Sequence, residues 1–142
     1  MADPHRLERS VAAQDRAGTY DRAAAELRAG RKQSHWMWFV FPQIAGLGSS
    51  PMAQAFAIGS LAEARAYLAH PVLAPRLAEC ARTLNAAPDG TSATEIFGPV
   101  DAMKLRSSMT LFAAAAPEEQ AFTDVLARYF DGQPDQATLE RL

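Results

Sequence analysis

Apolar residues recur at spacings of three and four along most of the chain, the repeat that sets one face of a helix against a core. Alanine fills many of the positions between, which adds helix propensity, and the pattern predicts an all-α chain. A first helix is expected from Pro4 to Gln14. A second runs from Thr19 to Ala29, with Thr19 as its N-cap, Gly30 as its stop and Tyr20, Ala24 and Leu27 on its inner face. Ser34 is placed to cap a short aromatic helix over His35 to Phe41, a run whose bulk also suits a buried strand; helix is the preferred reading. Pro42 breaks that run, and Gly46 to Pro51 has the composition of an exposed loop.

Further along, Ser60 with Glu63 makes a capping-box pattern for a helix ending near His70, ahead of Pro71. Val72 to Ala86 carries Leu73, Leu77, Cys80 and Leu84 on one stripe, so Cys80 belongs to the apolar side. Ser92 with Glu95 marks a single helical turn to Phe97, and Pro99 opens the next helix, which ends over Ala113 to Ala116. Pro117 opens another through Tyr129, and Gly132-Gln133-Pro134 separates a short carboxy-terminal helix. The sum is a compact multihelical bundle of about seven to eight short helices.

Length and charge narrow this further. At 142 residues and 49% hydrophobic, the chain suits one core, hence a single helical domain over residues 1–142. A formal net charge of -2 disfavours nucleic acid and membrane surfaces as partners. Cys80 stands alone, which rules out an internal disulfide or a cysteine-rich metal site and fits a reducing compartment. The charged opening Met1 to Arg6 lacks the apolar stretch of a signal peptide, so a cytoplasmic location is expected. The most apolar run, Trp36 to Phe41, is far shorter than the roughly 20 residues that cross a bilayer.

Familiar chemical motifs are missing: there is no phosphate-binding loop with its Lys, no dinucleotide fingerprint and no nucleophile elbow. Gly46-Leu47-Gly48 reads as a plain turn. His5, His35 and His70 do not fall in the paired spacing by which helices present metal ligands, and neither a metal nor another cofactor is expected. His70 sits at a helix C-terminus, where an imidazole satisfies carbonyls and complements the dipole.

Two segments hold the residues hardest to explain as packing. In the first, His35 begins the aromatic cluster; half-buried there it is a candidate proton-transfer group, against the competing assignment of a satisfied core histidine. Trp36 and Trp38 point to different sides of a helix, so one at most faces a pocket as a stacking platform. Gln43, fixed by Pro42, either presents its amide to a ligand or ties down the loop.

In the second segment, Ala102, Leu105, Met109 and Phe112 make an inward stripe, with Lys104, Ser107, Ser108 and Leu111 on the neighbouring face. A cation with adjacent hydroxyls is a cradle for phosphate or carboxylate; the alternative is that Lys104 and Arg106 are solvated or paired with Asp101 or another helix. Asp101 is a candidate general base, although carboxylates at helix starts more often cap. Ser108 as a nucleophile lacks an accompanying oxyanion-hole glycine.

The run Ser34 to Gln43 followed by Gly46-Leu47-Gly48, then Ala66-Tyr67-Leu68, His70 to Leu73, Ile96-Phe97-Gly98, Asp101, Lys104-Leu105 and Ser107 to Phe112, resembles the domain of unknown function 1810 family from Leu7 to the end. That resemblance implies a compact multihelical fold and brings no established activity. The chain is also faintly similar to the helical NADAR family, which removes ADP-ribose from modified bases: a polar residue, His and aromatics precede a Gln, with a helical Lys later.

Three functions are then in play. In one, His35, a Trp, Gln43, Lys104 and Ser108 line a pocket for a small anionic or nucleotide-like ligand, with hydrolysis of N-glycosidic or ADP-ribosyl type as a possible outcome and His35 or Asp101 moving protons. In another, the aromatic cluster is the groove of a ligand-sensing or protein-interaction module without catalysis. In the last, the polar groups satisfy one another inside the core.

Overall fold

In a computed structural model, which describes residues 3–142, helices form largely where caps and breakers place them. They are α1 (Glu8–Asp15), α2 (Thr19–Ala29), α3 (Met37–Val40), α4 (Pro51–Phe56), α5 (Leu61–Ala69), α6 (Leu73–Asn85), α7 (Ala93–Phe97), α8 (Pro99–Ala115), α9 (Gln120–Phe130) and α10 (Gln136–Leu139), with a 3-10 turn at Arg16–Gly18. The fold is all-α among the described residues, with one isolated parallel bridge between Ile44 and Ile58. Among the described residues no helix is long and apolar enough to cross a membrane.

The Ser92–Glu95 box closes in both directions, Gly30 ends α2 at φ 76°, and Pro99 occupies the first turn of α8. Five expectations are corrected. The first helix starts at Glu8 rather than Pro4, because Asp3 accepts from the Leu7 and Glu8 amides and so does the capping from outside; those bonds hold its carboxyl below the usual range. Thr19 is the first helical residue, preceded by Gly18 at φ 68°, and its hydroxyl donates to the Arg16 carbonyl. The aromatic helix shrinks to one turn, α3, and Ser34 does not cap it. The stretch read as a loop yields α4, because Ser50 accepts from the Ala53 amide and Pro51 supplies the first helical φ. Pro117 opens only a turn; α9 begins at Gln120, where the Glu119 side chain accepts from the Ala121 amide.

α8 is the axis of the core. It packs against α5, α7, α9 and α10, and its Leu105, Met109, Leu111 and Phe112 are fully buried. Phe112 lies between Tyr67 and Phe122, with centroids at 5.1 and 6.0 Å. Each such aromatic contributes about 2–3 kcal/mol by burial alone. The expected Leu73, Leu77, Cys80 and Leu84 stripe of α6 is buried as well. In that setting the Cys80 thiol is pushed up to about 12 by burial, partly offset by its contact with Tyr20.

His70 does structural duty, though not by meeting carbonyls. Its Nδ1 accepts from the Val72 and Leu73 amides at the start of α6, and its Nε2 faces Glu8 at 3.3 Å.

Candidate functional site

The site is assembled around a carboxylate outside both segments that drew attention in the sequence. Glu26, on α2, accepts from the Gln33 amide (2.8 Å), the Ser34 amide (3.0 Å), the Ser34 hydroxyl (2.5 Å) and the Trp36 indole (2.8 Å). Burial would raise its pKa, but these donors, the Ser34 hydroxyl first, outweigh it and bring the carboxyl down to about 2. Glu26 therefore folds residues 33–36 against α2. Trp36 is fully buried as a result, in edge or tilted contact with Phe41 and Phe97.

A second carboxylate joins this segment to α8. Asp101 meets Lys32 at 2.9 Å and Lys104 at 3.3 Å. Each ammonium also sits over an indole at 5.1 Å from the centroid, Lys32 on Trp36 and Lys104 on Trp38. Two cations share one anion, which leaves the cluster a net positive charge. The lysines differ in freedom: Lys32 is 8% exposed and also donates to the Ser34 carbonyl, whereas Lys104 is 25% exposed. A part-exposed ion pair and a cation–π contact are each worth only about 1 kcal/mol, so Lys104 can turn toward an arriving anion at small cost.

Lys104 borders two cavities. One, of about 10 Å³, has room for about a single water and is enclosed by Trp38, Phe41, Gln43, Phe56 and Lys104 among others. The other is a groove of about 280 Å³ beside it, with Gln43, Lys104, Ser107 and Asp135 on its polar side and Leu47, Val100 and Met103 on its apolar side. Val100 and Met103 are 65% and 72% exposed, large apolar side chains left open to water on the first turns of α8. Gly48 lets the loop close this groove, because a Cβ there would lie 2.5 Å from the Ala53 Cβ.

The C-terminal segment reaches the groove through the hydroxyls that make α8 a poor helix on paper. Arg106 donates to the carbonyls of Gln133 and Pro134, Thr110 accepts from the Asp135 amide, and Ser107 donates to Asp135 Oδ2. Asp135 in turn caps α10 by accepting from the Thr138 amide and hydroxyl.

Of the residues singled out in the sequence, Trp38, Gln43, Lys104 and Ser107 come together at the two cavities, and Asp101 pairs with Lys104. Trp36 and Ser108 do not; both are fully buried. The Ser108 hydroxyl and the Trp38 indole N–H are buried with no hydrogen-bond partner among the described residues. His35 departs most from expectation: it is exposed rather than half-buried, because Glu26 pulls Ser34 and Trp36 inward on either side and the bend between them turns the imidazole out. It lines neither cavity. Among the described residues no group of three or more His, Cys, Asp or Glu side chains is placed to hold a metal ion.

Glu26, Lys32, Val100, Met103 and Asp135 are the members that sequence reasoning missed. Lys32, three residues ahead of the aromatic run, and Asp135, followed three residues later by Thr138 in a capping pattern, carried weak signals. Glu26 carried none.

No curated protein matches the chain. A solved structure does: the conserved hypothetical protein Rv1873 from Mycobacterium tuberculosis, 54% identical, with a TM-score of 0.94 over 99% of this chain and 98% of that one. A family model matches residues 4–142, and on that match this chain belongs to the family described as "Protein of unknown function (DUF1810)".

Proposed function

We propose that the groove between the Gln43–Gly48 loop and the first turns of α8 binds a small anionic ligand that carries an apolar or planar part, as a nucleotide does. The observation that supports this reading best is Lys104, a part-exposed ammonium held by two weak contacts at the point where both cavities meet. The anion pairs with Lys104, the Gln43 amide adds a donor, and the ligand's apolar part covers Val100 and Met103. Desolvating those two side chains supplies the non-polar share of the affinity.

Binding without turnover is favoured over N-glycosidic or ADP-ribosyl hydrolysis. His35 is exposed and outside the groove, and Asp101 is occupied by two ammonium groups, so neither residue considered for proton transfer faces the ligand.

Thermal unfolding with adenosine monophosphate tests this. A ligand at 100 times its Kd stabilises by about 2.7 kcal/mol, which for a domain of this size raises Tm by roughly 8 °C. The rise is expected for wild type and for His35→Ala and is lost in Lys104→Ala. An equal rise in Lys104→Ala, or none in wild type at millimolar adenosine monophosphate and inorganic phosphate, overturns the proposal.

A further inference from the structure

Resting on that reading, we propose that Asp135 recognises a hydroxyl of the ligand, so that the groove selects a phosphorylated sugar, such as a nucleoside monophosphate, over a bare anion. Asp135 accepts three hydrogen bonds, from Ser107 at 3.0 Å and from the Thr138 amide and hydroxyl at 3.1 and 2.5 Å, and all three fall on Oδ2. Oδ1 takes none among the described residues, although Asp135 lines the groove. A carboxylate has about four acceptor positions, so Oδ1 remains able to accept from a molecule in the groove.

A groove with a cation on one wall and a carboxylate with one open oxygen on another is less favourable to an anion that brings no donors. An anion bearing hydroxyls meets both groups: its charge pairs with Lys104 and its O–H donates to Oδ1. Lys104 and Asp135 line the same groove: Ser107 follows Lys104 by one turn of α8, and Asp135 is one hydrogen bond beyond Ser107. The volume of about 280 Å³ lies at the lower edge of small-ligand pockets, enough for one sugar phosphate with a single base laid on Val100 and Met103.

The test compares adenosine monophosphate with its 2′,3′-dideoxy analogue, equal in charge and base, by titration calorimetry on the full chain. Wild type is expected to bind the hydroxylated nucleotide at least about tenfold more tightly, because loss of the donor leaves a charged acceptor unpaired. In Asp135→Asn, whose amide oxygen still accepts from Ser107 and Thr138, the preference is expected to fall below about threefold. Equal affinity of wild type for the two nucleotides overturns the inference and leaves anion binding standing. So does a tenfold preference that persists in Asp135→Asn. If neither nucleotide nor inorganic phosphate binds wild type, the groove reading fails and the inference with it. The wild-type comparison holds even where the variant folds poorly.

Discussion

Removing the Glu26 charge should loosen the segment that carries the site, and the size of the effect follows from the geometry. Glu26 accepts four hydrogen bonds, one from an indole that is fully buried. Its pKa falls from 4.5 in the unfolded chain to about 2. That is a depressed carboxyl, so its contribution is fully present above pH 4.5 and is lost as pH falls through 2. The full linkage is about 3 kcal/mol at 1.36 kcal/mol per pH unit, and solvent screening of this half-buried group reduces it to about 1.5 kcal/mol. Glu26→Gln, which keeps the shape and loses the charge, is expected to cost about 1.5 kcal/mol in urea unfolding at pH 7 and about 0.5 kcal/mol near pH 2.5. Glu26→Ala should cost about 3 kcal/mol, because the Trp36 N–H is then buried without an acceptor. Adding Trp36→Phe to that variant should show about 1 kcal/mol of favourable coupling in a double-mutant cycle. If Glu26→Gln stays within 0.5 kcal/mol of wild type at pH 7, or costs the same at both pH values, the assignment of Glu26 as the organiser of this segment is wrong.

Other variants probe separate parts of the account. Gly48→Ala places a methyl 2.5 Å from the Ala53 Cβ and should cost about 1–3 kcal/mol, read as a lower urea midpoint, and weaken nucleotide binding through the displaced loop. Ser108→Ala removes a buried hydroxyl that has no partner among the described residues and should leave stability unchanged or raise it by up to about 1 kcal/mol; a loss above 1 kcal/mol would mean the hydroxyl is satisfied. His35→Ala should stay within about 0.5 kcal/mol of wild type, as expected for an exposed side chain. Cys80, 1% exposed and pushed up to about 12, should react with a thiol reagent at pH 8 only after unfolding; rapid labelling of the native protein would contradict its burial.

The chain discloses its structure where the deciding contact is local. Ser92 with Glu95, Ser60 with the Glu63 amide, and Gly30 each act within three or four residues, and those helix ends could be read directly. Even there a distant group intervenes: the Glu63 carboxylate turns to the Gly59 amide and to Arg9 rather than closing its box on Ser60. Ser34 looked like a cap for the same local reason and was not one, because Glu26 eight residues earlier bonds it more strongly. The Ser50-Pro51 start of α4 used the same vocabulary as a loop, and glycine-rich context hid it. At the site, Lys104, Trp38 and Gln43 were legible as chemistry out of place. Asp135 was not, since only the folding of residues 133–135 onto Arg106, Ser107 and Thr110 carries it to the groove. Aromatic neighbours suggested burial for His35, but Ser34 and Trp36 are drawn in without it.

Trp36 and Trp38 are the two tryptophans of the chain, and they report on opposite roles. One indole N–H is committed to Glu26; the other has no partner among the described residues, and its ring lies under Lys104 and lines the small cavity beside the groove. In a ¹⁵N-labelled sample the two indole resonances can be followed together while adenosine monophosphate is added. Movement of the Trp38 resonance to saturation, with the Trp36 resonance still and the response abolished in Lys104→Ala, is the predicted result. If both resonances stay fixed at millimolar nucleotide, or Trp36 alone moves, ligand binding at this groove is contradicted.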